Sequence, residues 1–437
     1  MVQFFVASTL YGAATLGAAL DAGLFGTGHR RILLVSNNAT APEVTPALDR
    51  APGFAALRPR FDEVRSWNAE TAPQHPSEWS PRNADLPLWE RQLRRSWGLG
   101  DEPVELVVES LQANPAEALV RIFGDALVHV YADGVMSYGP TRKRLPELVP
   151  GRIERLLHPD LLPGLEPLLL TEHGVPRQGV PLPAFRAVLD ELAALDRFGG
   201  VPQGGALLLG QYLSPLGLLS RTEEERLHAD MLRAAVAAGH RHVVFKPHPS
   251  APLPLTRALE QAAEEACVRV TVLREPVLAE TAFARLRPEL VVGCFSTGLF
   301  TARALFGLPV VSVGAATVLR RLTPFANSNR VPLTLAHALM GGQPPQDVRP
   351  LLRAVGHCMQ PEAYPELRSE TEAWLLASTE ETVRTYIGTA RLSALGLPGG
   401  QVLSKENAVR LLRQNPTLRR AVREARTVRR AVTRALR

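Results

Sequence analysis

Apolar positions along this chain fall into short unbroken runs, separated by longer stretches in which they recur every three or four residues. The short runs read as buried strands and the longer stretches as amphipathic helices. Their alternation predicts an α/β fold of parallel sheets covered by helices. In the first half the expected strands are Val2–Ala7, Ile32–Ser36, Glu105–Glu109 and Leu127–Tyr131. One more is expected near Val64, inside an irregular stretch from Ala51 to Pro87. Helical spacing marks Leu88–Trp97 and Pro115–Ile122. A break rich in Gly and Pro, Arg197–Gly205, follows Leu195 and reads as a hinge.

Beyond the hinge the alternation is more regular. Strands are expected at Ala206–Tyr212, His242–Lys246, Arg269–Leu273, Leu290–Phe295 and Pro309–Val313. Helices are expected at Thr222–Ala238, Leu255–Cys267 and Thr297–Phe306. Thr222 and Glu225 match a capping box for the first of these. Leu367–Ile387 reads as one long closing helix. The expected organisation is two Rossmann-like domains, 1–198 and 199–393, followed by a tail, 394–437. A length of 437 residues suits two cores of ordinary size.

Charge changes the picture only at the end of the chain. The formal net charge is +6, yet from Ser404 onward there are eleven basic residues and two acidic ones. The body is therefore acidic. From Leu418 the apolar residues of the tail keep helical spacing against an Arg-rich face, which predicts contact with an anionic membrane surface through 404–437. A solvated tail is the plainer alternative. Nucleic acid is not an expected partner, because the body is acidic and the tail lacks interleaved aromatics. The apolar N-terminus has no basic residue before it and contains Asp21, so it reads as a strand and helix, not a secretory signal. No run of 18 apolar residues occurs. Cys267, Cys294 and Cys358 are too few and too scattered for a disulfide framework or a zinc site. The expected location is the cytoplasm, including the inner face of the membrane.

Three short motifs carry chemistry. Lys246-Pro247-His248-Pro249 ends a strand, so two prolines fix a His at the carboxyl edge of a sheet, where α/β proteins bind ligands. Lys246 adds a point charge suited to phosphate. Ser296-Thr297 opens a helix directly after a strand, where free amides and the helix dipole favour an anion. Asp133-Gly134 ends a strand of the first domain, and a carboxylate there is a candidate general base on a hydroxyl. Each has an ordinary alternative: a rigid loop, an N-cap and a turn.

In order and spacing, these motifs resemble the bacterial sialyltransferase and alpha-2,8-polysialyltransferase group, which has an acidic-acidic-Gly motif, a His-Pro motif and a Ser/Thr pair. The resemblance implies a GT-B fold of two Rossmann-like domains facing a cleft, and a CMP-activated sugar as donor. It implies Asp133 as base and His248 as the group that binds the donor phosphate and stabilises departing CMP. Lys246, Ser296 and Thr297 would hold the same phosphate, and Gly210, Pro249 and Glu280 would contact the nucleotide. Ser8, Thr9 and Gly134 would line the sugar or acceptor pocket. The first acidic position of the motif is Ala132 here. No Asp-x-Asp motif occurs, so no metal is expected and the CMP-sugar is a co-substrate, not a cofactor. Transfer of another nucleotide sugar, or non-catalytic nucleotide or glycan binding, remains an alternative.

Overall fold

The computed structural model describes residues 1–43, 45–132, 134–248, 256–342 and 344–401. Asp133, Pro249 and the basic tail from Ser404 therefore lie outside the described residues.

Seven strands form the first sheet: β1 (Val2–Ala7), β2 (Arg30–Val35), β3 (Glu63–Ser66), β4 (Val104–Val108), β5 (Leu127–Tyr131), β6 (Ile153–Pro159) and β7 (Arg177–Val180). Their order is β3-β2-β1-β4-β5-β6-β7, and every pairing is parallel. Helices cover both faces, so the central strands are mostly apolar, and all of β1 is buried. The Gln3 amide nitrogen in β1 donates to Phe25 O at 3.1 Å and Glu105 Oε2 at 2.8 Å. The strands β6 and β7 were not expected from the sequence. Only Val180 is buried in β7, which is an edge strand and too polar to give an apolar run.

The second sheet has β8 (Ala206–Leu209), β9 (His242–Lys246), β10 (Arg269–Val272), β11 (Leu290–Gly293) and β12 (Val310–Ser312). Its order is β10-β9-β8-β11-β12, again all parallel. Both sheets thus reverse direction once, between β1 and β4 and between β8 and β11. Such switch points open a crevice at the carboxyl edge.

Two elements depart from expectation. The helix Arg221–Ala237 is capped two residues earlier than read, by Ser220 and Glu223, which form the reciprocal box. Glu225 instead pairs with Arg221 at 3.3 Å. The closing helix is two helices, Arg368–Ala377 and Glu380–Tyr386. Ser378 turns extended, and Thr379 caps the second helix by accepting from Thr382 N.

The domains pack on one another. The turn Val135–Tyr138, directly after the Asp-Gly pair, contributes Val135 and Tyr138 to the core of the second half. A Cβ on Gly139 would lie 2.7 Å from Val331, so only glycine lets the helix Arg330–Met340 approach. Tyr364 returns to the first domain, where its hydroxyl donates to Leu168 O at 3.0 Å and accepts from Thr141 N at 3.1 Å. The result is the GT-B arrangement: two Rossmann-like domains facing a cleft.

Candidate active site

The second-domain wall of the cleft grows from the ends of β8, β9 and β11. The chain leaves β8 at Gly210, whose amide donates to Lys246 O at 2.9 Å. A Cβ there would lie 2.8 Å from the Phe245 ring and 3.2 Å from Pro247 Cα. Glycine is thus what lets the ends of β8 and β9 meet. The next residues then reach the cleft. Tyr212 stacks on the His248 ring, with centroids 5.8 Å apart and planes 16° from parallel. Gln211 Oε1 accepts from Phe295 N at 2.9 Å and ties this loop to the end of β11.

A buried carboxylate holds the loop from below. Glu224 accepts from Leu213 N at 2.8 Å, Ser214 N at 2.9 Å and Ser214 Oγ at 2.6 Å. Its charge also acts on His248, where it favours the imidazolium. His248 is exposed on the cleft wall, and the surrounding protein holds its pKa below the usual imidazole value. Desolvation is the largest cause, Lys246 adds to it, and Glu224 opposes it. The free imidazole is therefore neutral near neutrality.

From β11 the chain passes through Cys294 and Phe295 to Ser296, the N-cap of the helix Thr297–Phe306. Ser296 Oγ accepts from Gly298 N at 3.2 Å. A Cβ on Gly298 would lie 2.9 Å from Leu209, so this glycine seats the helix start against β8. The first turn of this ten-residue helix faces the cleft with two hydroxyls, an arrangement suited to an anion.

A cavity of about 290 Å³ joins these parts. Gln211, Tyr212, His248, Ser296 and Thr297 line it from the second domain, and Met136 lines it from the first. An open cavity of about 660 Å³ lies further along the first sheet's edge, walled by Asn37, Asn68 and His75. The smaller one is the better candidate, because both domains and three of the expected residues converge on it.

The remaining expected residues divide. Gly134 is at the cleft: a Cβ on it would lie 2.8 Å from Thr297 Oγ1. The Asp-Gly and Ser-Thr motifs are therefore in van der Waals reach of one another. Replacing Gly134 with Ala is expected to cost about 1–3 kcal/mol in folding stability by overpacking and to lower turnover about tenfold. Denaturant unfolding and initial rates check this, and adding Thr297→Ala should restore the stability.

Ser8 and Thr9 stand at the end of β1, at the first sheet's switch point. Ser8 Oγ donates to Glu109 Oε2 at 2.7 Å, and Thr9 Oγ1 accepts from Gly12 N at 2.9 Å. Lys246 and Glu280 need correction as direct contacts. Lys246 is 7% exposed and Glu280 4% exposed, and neither lines the cavity. Burial lowers the Lys246 pKa, while Glu280 and Asp196 nearby oppose that shift. Glu280 accepts from Thr301 Oγ1 at 2.7 Å, on the helix that begins with Thr297. Their charges lie behind the wall: the side chain of the last β9 residue points into the domain, and the next residues carry the chain to the cleft.

Sequence reading missed Gln211, Tyr212, Glu224 and Glu109. Glu109 was legible by the same signal as Asp133, a carboxylate at a strand end. Glu224 was hidden by the capping box placed two residues late.

The family described as Alpha-2,8-polysialyltransferase (POLYST) matches residues 3–315. No curated protein matches the chain. Similar solved structures include the GT-B domain of a sialyltransferase from Photobacterium damselae, 10% identical over 77% of this chain and 96% of that one, with a TM-score of 0.39. Another is the Photobacterium sp. JT-ISH-224 2,6-sialyltransferase, in a complex with donor product CMP and acceptor lactose. It is 12% identical over 77% of this chain and 76% of that one, with a TM-score of 0.44. MurG of Acinetobacter baumannii is 10% identical over 95% of this chain and 99% of that one, with a TM-score of 0.40.

Proposed function

The chain belongs to the alpha-2,8-polysialyltransferase family and is a glycosyltransferase, and we propose that it moves sialic acid or a related ulosonic acid from a CMP-sugar to a glycan acceptor, with inversion and without a metal. The observation that carries this reading is the 290 Å³ cavity, where His248, Ser296 and Thr297 face the turn that follows Asp133-Gly134.

One displacement suffices. The acceptor hydroxyl gives its proton to Asp133, and its oxygen bonds to the anomeric carbon. The bond from that carbon to the CMP phosphate oxygen breaks, and its electron pair leaves on the phosphate. His248, the Ser296 and Thr297 hydroxyls and the helix start stabilise that charge. Tyr212 holds the imidazole plane, and Glu224 holds the loop that carries Tyr212. Attack from the face opposite the leaving phosphate inverts the anomeric centre.

Among the described residues, no group of three His, Cys, Asp or Glu could hold a metal ion. Transfer is expected to keep its full rate in excess EDTA, and a loss restored by Mg²⁺ or Mn²⁺ would refute metal independence. Among the described residues no helix is long and apolar enough to cross a membrane. The tail supports contact with an anionic membrane surface.

The donor is tested by thermal stabilisation with CMP, UMP, GDP and inorganic phosphate, on the wild type and on His248→Ala. Stabilisation by CMP alone, lost in the variant, is expected. No response to any nucleotide would sink the reading.

A further inference from the structure

The first domain's switch point holds a carboxylate, Glu109, that the proposed transfer step does not use. Glu109 directly follows β4, and Ser8 directly follows β1. These strands pair in parallel, so both residues leave the carboxyl edge side by side. The edge is the one from which Gly134 reaches Thr297. Since β4 also pairs with β5, the Glu109 backbone is one strand spacing, about 4.8 Å, from the β5 end that leads into Asp133-Gly134.

Burying a carboxylate is costly unless several donors compensate for it. Two buried carboxylates of the second domain have that compensation. Glu224 takes two backbone amides and a hydroxyl. Glu280 takes the Thr301 hydroxyl and has Lys246 as a neighbouring cation. Glu109 draws its donors from Ser8, the hydroxyl at 2.7 Å and the backbone amide, and no cation is among the groups that shift its pKa. Burial raises its pKa above the ordinary carboxyl value, and the Ser8 hydrogen bonds oppose that shift. A position serving packing alone would take an apolar residue, as Val107 and Val108 just before it do. A half-buried carboxyl at a sheet switch point, with both donors on one side from Ser8 and beside the strand end that leads into Asp133-Gly134, matches a ligand that brings its own hydroxyls.

We propose that Glu109, oriented by Ser8, binds the acceptor saccharide, accepting a hydrogen bond from a ring hydroxyl next to the one that reacts. This rests on the transferase reading above and extends it to the acceptor. The ligand class is a polyhydroxylated sugar, and the site does not touch the donor phosphate. Glu109 fixes the acceptor, while His248 and Ser296-Thr297 fix the donor, so the two can be separated by substitution.

The test uses the full-length chain, its Glu109→Gln and Ser8→Ala variants, CMP, and two saccharide probes, lactose and sialyllactose. CMP affinity is measured by calorimetry, and saccharide binding by saturation-transfer NMR with CMP bound. Wild type should bind CMP and at least one saccharide. Glu109→Gln should weaken the saccharide about tenfold and leave CMP affinity within about twofold. Ser8→Ala retains the carboxyl and removes its restraint, so it should weaken the saccharide less, again sparing CMP. It also carries the test if Glu109→Gln does not fold. Equal saccharide binding in wild type and both variants would overturn the proposal alone. So would parallel loss of CMP and saccharide in a variant, which marks a structural role, or no saccharide bound by a CMP-bound wild type. A wild type that binds no CMP would overturn the transferase reading as well.

Discussion

Replacing Asp133 with Asn should lower transfer to an acceptor by about 10²–10⁴-fold while CMP affinity stays within about twofold. The two side chains have nearly the same shape, so the substitution removes a base and little else. The direction follows from chemistry at the cleft. The second domain offers hydroxyls, an imidazole and a helix start, groups suited to stabilising charge on a leaving phosphate. In a single inverting displacement the base stands on the side opposite the leaving phosphate, which in the proposed mechanism is the first-domain side. On the proposed mechanism that role falls to Asp133, the neighbour of Gly134, and a Cβ on Gly134 would lie 2.8 Å from Thr297 Oγ1. Initial rates with a CMP-sugar, alongside calorimetry with CMP, separate the two effects. A variant that retains wild-type rates would remove Asp133 from the reaction.

His248 should dominate donor affinity, and its pH dependence has a definite sign. Its free pKa lies below the usual 6.5, chiefly because surrounding protein disfavours the charged form. A bound phosphate favours the imidazolium, so binding raises that pKa and takes up a proton. Affinity should therefore be weakest in alkaline solution, rise as pH falls through neutrality, and level off below the free pKa. The phosphate of CMP titrates near 6 itself, so the informative quantity is the difference between wild type and His248→Gln. In the variant that difference disappears, and CMP affinity at neutral pH falls about tenfold or more, as for loss of a charge-assisted hydrogen bond. Calorimetry in two buffers of different ionisation enthalpy measures the proton uptake directly. Unchanged uptake in the variant would place the titrating group elsewhere.

The sequence made the second domain legible because its strands are short apolar runs with sharp polar ends. His242–Lys246 and Thr297–Phe306 were read at their observed bounds. Polar edge strands were not legible: β7 presents Arg177, Gln178 and Gly179 before its one buried residue. At the cleft, Ser296 and Thr297 stand where the local pattern places them, after a strand and at the start of a helix. Side-chain direction was not legible. Lys246 belongs to the strand and turns inward toward Glu280 and Asp196, whereas His248, two residues on, reaches the cleft. Nor could spacing reveal Tyr212 stacked on His248, or Glu224 beneath the Leu213-Ser214 loop, because both depend on where β8 ends relative to β9.

The central claim is a CMP-sugar donor bound between His248 and the Ser296-Thr297 turn. The most direct test is nucleotide release from a panel of CMP-, UDP- and GDP-sugars by the wild type, His248→Ala and Asp133→Asn. The account predicts release of CMP from CMP-sugars only, nearly abolished in both variants. Release from UDP- or GDP-sugars with none from CMP-sugars, or release of CMP that neither substitution affects, would contradict it.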